Sequence, residues 1–159
     1  PSLPRVIPGI ELSTAAGEAI GLYVDRLIPA GLSLAEAILR IRGQGGIAYL
    51  PHPFDRMRRG TVSSRQRARA AHLVDILEVV NGRPLGPRLA KKAAVLADCA
   101  GKPAGAGSDA HRRVEVGTAY VVVDELPSPE TLIGLLACGR LEHNLHARDY
   151  ALNWGFQGL

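Results

Sequence analysis

Residues 33–53, SLAEAILRIRGQGGIAYLPHP, have the pattern of a helix followed by a strand. Ser33 and the glutamate three residues later form a capping box, which marks the start of a helix. Apolar side chains then recur every three or four residues as far as Gly43, where the helix is expected to end. Residues 46–50 (GIAYL) are a short apolar run that predicts a strand, and His52 follows between two prolines. The stretch predicts one α/β unit with a possible ligand at the end of its strand.

The same alternation of helix and strand continues along the chain. The segments concerned are predicted strands over 74–80, 103–106 and 118–123, a predicted helix over 85–100, and a last helix that begins at Ser128 and Pro129 and ends at Gly139. Before this series, residues 5–13 and 18–24 predict two strands that pair as a hairpin. Alternating helices and strands imply parallel strands with crossover helices, so the sequence predicts an α/β sheet or barrel.

The composition is that of an ordinary globular protein. The chain has 159 residues, of which 47% are hydrophobic and 21% charged, which predicts a single domain with a core of its own. No apolar run is long enough to cross a membrane and no N-terminal signal is visible, so we expect no membrane partner and a cytoplasmic location. Cys99 and Cys138 lack C-x-x-C spacing and are predicted to be reduced thiols in the core.

The net charge of +4 is partly local, because six arginines fall between positions 56 and 69. Such a cluster can bind phosphate or nucleic acid, or it can be a solvated loop and helix face, and the sequence leaves both open. No aromatic residue alternates with these arginines, which disfavours a dedicated site for single-stranded nucleic acid. The nearby Asp55 and Asp75 are predicted to be structural.

Several polar residues stand where the predicted strands end. They are Glu11, His52 and Asn81, followed by Asp109 and His111. Functional side chains of α/β barrels lie at the C-terminal ends of the strands. Asp109 and His111 are two residues apart, so an extended chain would place both on one face. Each residue alone has an ordinary explanation as a cap, turn or surface residue. Together, four carboxylate or imidazole donors predict a site for a divalent metal.

Four segments resemble the PHP (polymerase and histidinol phosphatase) superfamily of metal-dependent phosphoesterases. They are PGIE at 8–11, PHPFD at 51–55, EVVNGR at 78–83 and GSDAH at 107–111 with EVG at 115–117, in the order that the family has them. The resemblance covers residues 4–141. It implies a distorted (βα)₇ TIM-like barrel with two or three Mn, Zn or Fe ions at its strand ends.

The resemblance also implies roles for individual residues. The implied metal ligands are Glu11, Glu18, His52, Asp109 and His111, where Glu18 stands at a position that is often histidine in the family. His52, Asp109 and His111 are the implied catalytic residues, and Arg56, Asn81 and Arg83 are expected to line the substrate site. The arginines can hold a phosphate by paired, charge-assisted hydrogen bonds.

The sequence has no counterpart of the family's opening H-x-H motif. We therefore expect the chain to be the C-terminal portion of a barrel that is incomplete at its first strands, with residues 143–159 as a packing tail. An incomplete barrel exposes a strand edge, which predicts a second copy or a partner segment over it.

The predicted function is hydrolysis of a phosphate ester of a small metabolite or nucleotide at a di- or trinuclear metal centre. The sequence does not separate monoesters from diesters. The alternative is a non-catalytic, PHP-like binding module with a degenerate metal site, whose arginine segment contacts nucleic acid or a partner protein.

Overall fold

The computed structural model describes residues 5–55, 60–83 and 86–143. In chain order the elements are β1 (Gly9–Thr14), β2 (Gly17–Leu22), α1 (Leu34–Arg42), β3 (Ile47–Leu50), α2 (Arg67–Leu73), β4 (Ile76–Asn81), α3 (Gly86–Ala100), β5 (Ala104–Gly107), a 3₁₀ turn (Arg113–Glu115), β6 (Ala119–Val122), α4 (Leu132–Cys138) and β7 (Arg140–His143). The predicted strands and helices are thus largely confirmed, with α2 and β7 added.

Five strands form one mixed sheet in the order β1-β2-β3-β4-β5. β1 and β2 form the predicted antiparallel hairpin, and β2 is also antiparallel to β3. β3, β4 and β5 are parallel, as the alternation of helix and strand predicts. β6 and β7 form a separate antiparallel pair.

The predicted (βα)₇ TIM-like barrel is wrong for the described part of the chain. The five-stranded sheet is open, since its outer strands β1 and β5 do not pair with each other. The physical reason lies in the connections: a barrel of this kind needs a helical crossover between every pair of strands, whereas a tight turn joins β1 to β2 and makes them antiparallel. Likewise, α4 is followed by a strand that pairs antiparallel with β6 instead of extending the parallel series.

Helix α1 shows how local sequence and packing agree. The Ser33 side chain accepts a hydrogen bond from the Glu36 backbone N–H at 3.2 Å, which is the N-cap half of the predicted capping box. Its buried side chains, Leu34, Ala37, Ile38 and Ile41, follow the 3.6-residue period of a helix. The Gly43 N–H bonds to the Leu39 carbonyl at 2.8 Å and ends the helix where expected.

The sheet has two unlike faces. Alternate residues of its central strands, including Leu50, Leu77 and Val79, pack with α1, α2 and α3 in the main core. The intervening residues, including Tyr49 and Ile76, pack on the opposite face with Leu132 of α4 in a smaller cluster. Side chains alternate along a strand, so any polar residue in phase with Tyr49 points away from the three helices.

Asp75 is structural, as predicted. One carboxylate oxygen accepts a hydrogen bond from Arg42 at 2.6 Å and the other from the Ala48 backbone N–H at 2.8 Å. The side chain therefore ties the end of α1 to the start of β3, immediately before β4 begins.

The two cysteines and the start of the last helix differ from the predictions. Cys99 and Cys138 are free but exposed, so their placement in the core is wrong; in α3 the buried face carries Ala93 and Ala97, and Cys99 is out of phase with it. Helix α4 begins at Leu132, because Ser128 and Thr131 hydrogen-bond to each other in a preceding turn.

The arginine cluster is only partly described, because Arg56, Arg58 and Arg59 lie outside the described residues. Arg67 begins α2 and stacks over the Phe54 ring, with its guanidinium carbon 4.3 Å from the ring centroid. It also donates to the Pro53 carbonyl at 2.6 Å, so it secures the chain after His52. Within the described ranges, no helix is long and apolar enough to cross a membrane. His143 ends β7, and the rest of the predicted tail lies outside those ranges.

Candidate metal centre

Three of the predicted ligands converge on one point. Glu11 of β1, Glu18 of β2 and His52 after β3 each offer a donor atom, and these atoms lie within 4.8 Å of one another. In the hairpin, Glu11 pairs with Ile20, which makes Glu18 its diagonal neighbour on the same face. Ile20 pairs in turn with Tyr49, so this face is the one opposite α1, α2 and α3.

His52 is the buried member of this group. Its Nε2 lies 3.3 Å from a Glu18 oxygen and 3.9 Å from a Glu11 oxygen, and its side chain is 2% exposed. The Thr61 hydroxyl lies 3.4 Å from the other ring nitrogen, Nδ1. Two carboxylates and one imidazole are a donor set that suits Zn²⁺, Mn²⁺ or Fe²⁺, so the residues present fit a borderline divalent ion.

Asp109 and His111 form a second set on the same cavity. Their predicted alignment in an extended chain is wrong, because the backbone turns at Asp109, where φ is +50°. The His111 ring nitrogen Nδ1 lies 2.9 Å from the Asp109 carbonyl oxygen and 3.7 Å from a carboxylate oxygen of Asp109. Glu11, His52, Asp109 and His111 all line one cavity of about 470 Å³, whereas Glu18 lines a neighbouring one of about 420 Å³ beside the hairpin turn. The converging group of three does not include Asp109 or His111.

Two of the predicted ligands have strained backbones. φ is +29° at His52 and +50° at Asp109, in the left-handed region that side chains other than glycine rarely adopt. Such conformations cost about 1–3 kcal/mol each and persist where the surrounding structure holds them. Their occurrence at two predicted ligands supports a functional site at this cavity.

Asn81 lines the cavity, but no arginine predicted to bind substrate is among the described residues that line it. The Asn81 amide nitrogen donates to Glu78 at 2.8 Å and to Asp109 at 3.3 Å, and its oxygen accepts from the Arg83 backbone N–H at 2.8 Å. Arg83 therefore contributes through its backbone, and its side chain is not among the cavity-lining groups. Arg56 lies outside the described residues.

Glu78 is a site residue that the sequence analysis missed. It lies in the middle of β4, is 4% exposed, and lines the cavity. Its carboxylate accepts hydrogen bonds from the Tyr49 hydroxyl at 3.1 Å, the His52 backbone N–H at 2.7 Å and the Asn81 amide at 2.8 Å. Burial raises the pKa of Glu78 to about 7 against the opposing effect of these bonds, and burial also raises the pKa of Tyr49. The signal in the sequence is one acidic residue inside an otherwise apolar buried run, ILEVV.

Glu115 fixes the loop that carries His111. One of its carboxylate oxygens accepts from the His111 backbone N–H at 2.7 Å and from the Arg112 backbone N–H at 3.1 Å. The hydrogen bond from His111 is the main reason that the pKa of Glu115 is lowered. The EVG segment of the sequence resemblance is thus a support for the loop rather than a wall of the cavity.

Comparison with known proteins gives a family match for the C-terminal part of the chain. Residues 87–141, from α3 to β7, match the family model described as PHP-associated. The match covers about a third of the chain and includes the GSDAH and EVG segments. It supports the resemblance of this chain to the PHP superfamily.

Relatives of this protein include two uncharacterized proteins of Methanocaldococcus jannaschii. One is 39% identical over 142 residues, which are 82% of this chain and 59% of the relative. The other is 49% identical over 50 residues, which are 31% of this chain and 29% of the relative. This chain thus spans about three fifths of the length of the first relative.

A solved structure shares the fold of this chain. The crystal structure of PsfC from Pseudomonas syringae PB-5123 superimposes with a TM-score of 0.62, over 92% of this chain and 62% of that chain, at 22% sequence identity. At this level of identity the likeness concerns the fold alone.

Proposed function

We propose that this protein is a metal-dependent phosphoesterase that hydrolyses the phosphate ester of a small metabolite or nucleotide. The observation that carries the proposal is the convergence of Glu11, Glu18 and His52, whose donor atoms lie within 4.8 Å of one another. The match of residues 87–141 to the PHP-associated family model supports the same chemistry. The chain covers only part of the length of its relatives. The activity is therefore proposed from the geometry of the site and not from those proteins.

The proposed ligands fall into two sets. Glu11, Glu18 and His52 would hold one divalent ion, and Asp109 with His111 would contribute to a second at the other side of the cavity. Such ions, when bound, neutralise phosphate charge and lower the pKa of a bound water toward neutrality. The His52 side chain is 2% exposed, so it suits a fixed ligand better than a proton carrier that exchanges with solvent.

His111 is the candidate for proton transfer to the leaving group. A carbonyl oxygen only accepts, so the 2.9 Å contact with the Asp109 carbonyl requires the proton on Nδ1 and directs the lone pair to Nε2. The side chain is 62% exposed, so it can exchange protons with solvent. Where His111 is not bound as a ligand, its protonated ring would serve as the general acid.

Substrate binding by Arg56, Asn81 and Arg83 stays a prediction. Asn81 donates to Glu78 and Asp109, which suits it to holding the cavity wall in place. Arg83 lies two residues after Asn81. Binding of a phosphate at the cavity mouth would test whether the Arg83 guanidinium turns toward the anion. Replacing Arg83 by Lys removes forked hydrogen bonding but keeps the charge, so KM should rise more than kcat falls.

Elemental analysis tests the metal site. After loading with Mn²⁺ and desalting, the wild-type protein should retain bound ions, the Glu11→Ala/His52→Ala variant should lose the ion of the first set, and Asp109→Ala/His111→Ala that of the second. Glu36→Ala is the control, because Glu36 is exposed and pairs with Arg40 on α1. A wild-type protein that retains no ion after loading with Mn²⁺, or with Zn²⁺ in a parallel sample, would contradict the proposal.

Hydrolysis assays test the reaction. We expect Mn²⁺-loaded protein to release p-nitrophenol from p-nitrophenyl phosphate, a monoester, or from bis-p-nitrophenyl phosphate, a diester, and the ratio of the two rates decides the substrate class. EDTA and the two double substitutions should each abolish the activity, whereas Glu36→Ala should retain it. Bound metal without hydrolysis of either ester would favour the non-catalytic binding module.

The expected partner and location also stay predictions. β1 is an outer strand of the five-stranded sheet, and among the described residues no strand pairs with its other edge, which a second copy or another segment could cover. Sedimentation at micromolar concentration tests the first option, since a dimer doubles the 16.9 kDa mass. Cys99 and Cys138 are both free thiols, which supports the predicted cytoplasmic location.

A further inference from the structure

A buried carboxylate needs partners, and Glu78 has an unusual set. An interior carboxylate without hydrogen bonds is strongly destabilising. The groups that donate hydrogen bonds to Glu78 therefore indicate which parts of the site it holds in place. One oxygen, Oε1, faces the Tyr49 hydroxyl at 3.1 Å. The other, Oε2, accepts from two groups of the candidate site, the His52 backbone N–H and the Asn81 amide.

The bond to His52 falls where the backbone offers few alternatives. Pro51 and Pro53 flank His52 and carry no N–H, so His52 has the only backbone donor in residues 51–53. That donor lies 2.7 Å from Glu78, and its residue has the strained φ of +29°. A strained conformation persists when neighbouring contacts over-determine it, and this hydrogen bond is one such contact.

The bond to Asn81 extends the connection to the other ligand set. The same Asn81 nitrogen that donates to Glu78 at 2.8 Å donates its second hydrogen to Asp109 at 3.3 Å. A continuous path therefore runs from the backbone of His52 after β3, through Glu78 and Asn81 of β4, to the carboxylate of Asp109 after β5. The path joins three neighbouring parallel strands at one end of the sheet.

The surroundings are shaped to admit this side chain. A Cβ at Gly107 would lie 2.7 Å from Glu78 Oε1, and a Cβ at Gly105 would lie 2.5 Å from the Tyr49 ring. Glycines at two positions of β5 thus leave room for Glu78 and Tyr49 on the sheet face that carries the site. With three donors around its two oxygens, the carboxylate has little remaining capacity for a metal ion.

We propose that Glu78 is a positioning residue, which sets His52 and, through Asn81, Asp109 in place for metal binding. The effect of Glu78 on metal affinity rests on the proposed metal site, whereas its effect on the His52 backbone does not. What matters is the position of the oxygen atoms and not the charge, because a neutral amide of the same length can present an oxygen to His52 and Asn81 and its NH₂ group to Tyr49.

Two substitutions separate length from charge. Glu78→Gln keeps the length and removes the charge, whereas Glu78→Asp keeps the charge and withdraws the carboxylate by one methylene. Tyr49→Phe is the control, because it removes the contact to Oε1 and leaves both bonds to Oε2. Circular dichroism and the melting temperature establish that each variant is folded before it is compared.

Two measurements apply to each variant. The first is hydrogen exchange of the His52 amide by NMR in the chelator-treated protein. The second is the dissociation constant of Co²⁺, read from its visible absorption. We expect Glu78→Gln and Tyr49→Phe to resemble the wild type in both. Glu78→Asp should speed exchange of the His52 amide by at least about tenfold and weaken Co²⁺ binding about 10–100-fold, as is usual when a support of a metal ligand is lost.

Each result decides the proposal. Unchanged His52 exchange in Glu78→Asp would overturn it. A loss of Co²⁺ binding in Glu78→Gln as large as in Glu78→Asp would also overturn it, since it would make the charge itself, and hence direct ligation, the important feature. If the wild type binds no Co²⁺, the proposed function fails, and the exchange rate of the His52 amide still decides whether Glu78 positions that residue.

Discussion

His52 shows how much of a ligand's geometry comes from residues that never touch its ring. Its backbone is held by Glu78, and the chain that follows it is held by Arg67, which donates to the Pro53 carbonyl at 2.6 Å. Its ring then lies 3.3 Å from Glu18, a residue 34 positions earlier in the chain. The segment Pro51-His52-Pro53 thus acquires its conformation through contacts with residues of β2, β4 and α2.

At the residue scale, Gly105 is required by packing. A Cβ there would meet the Tyr49 ring at 2.5 Å and Ile76 at 2.9 Å, and both neighbours are buried. We expect Gly105→Ala to destabilise the protein by about 1–3 kcal/mol through overpacking, measured by urea unfolding.

Gly134→Ala is the matched control for that substitution. Gly134 lies inside α4, and a Cβ there would have no atom within 4 Å. Alanine is the better helix former, so this variant should be more stable by up to about 1 kcal/mol. Equal effects of the two substitutions would contradict the packing explanation.

At the scale of elements, local signals predicted more than long-range ones. α1 forms as the capping box and its apolar period indicate, because both act within the helix itself. α2 and β7 lack such signals. The N-cap residue of α2, Gln66, makes no side-chain cap, and only Gly139 separates α4 from β7. Their formation depends on packing against neighbours that are distant in the chain.

The contact between α1, β3 and β4 gives a prediction at this scale. Asp75 accepts the Ala48 N–H at 2.8 Å, and Ala48 is fully buried. Asp75→Ala leaves that donor without its partner, so we expect a loss of about 1–3 kcal/mol in the free energy of unfolding. Asp25→Ala, which removes a carboxylate with 84% exposure, should change it by less than about 0.5 kcal/mol. Similar losses in the two variants, measured by urea unfolding, would argue against this role.

For the whole molecule, metal binding should be linked to stability. The three converging ligands come from β1, β2 and the chain after β3, so an ion that they share joins parts of the sheet that unfolding separates. An ion at one hundred times its dissociation constant stabilises the folded state by about 2.7 kcal/mol. For a chain of this size we expect a rise of about 5–10 °C in melting temperature with Mn²⁺ or Zn²⁺.

The control for this experiment is Glu11→Ala/His52→Ala, whose melting temperature should rise less with the ion than that of the wild type, because only the second set of ligands remains. An equal rise in the variant would mean that the ion binds elsewhere. Addition of EDTA to the loaded wild type should return the melting temperature to that of the metal-free protein.

The sequence by itself determined the order of helices and strands except α2 and β7, the hairpin, the parallel run from β3 to β5 and the residues worth testing as ligands. These are matters of local pattern: a cap, a period of 3.6 or 2, or a polar residue at the end of an apolar run. Tertiary structure alone decided that the sheet stays open, that Glu11, Glu18 and His52 converge while Asp109 and His111 stand apart, and that Glu78 joins the two sets. Those outcomes depend on strand register and on which face of the sheet the helices cover, and both are set by contacts between residues far apart in the chain.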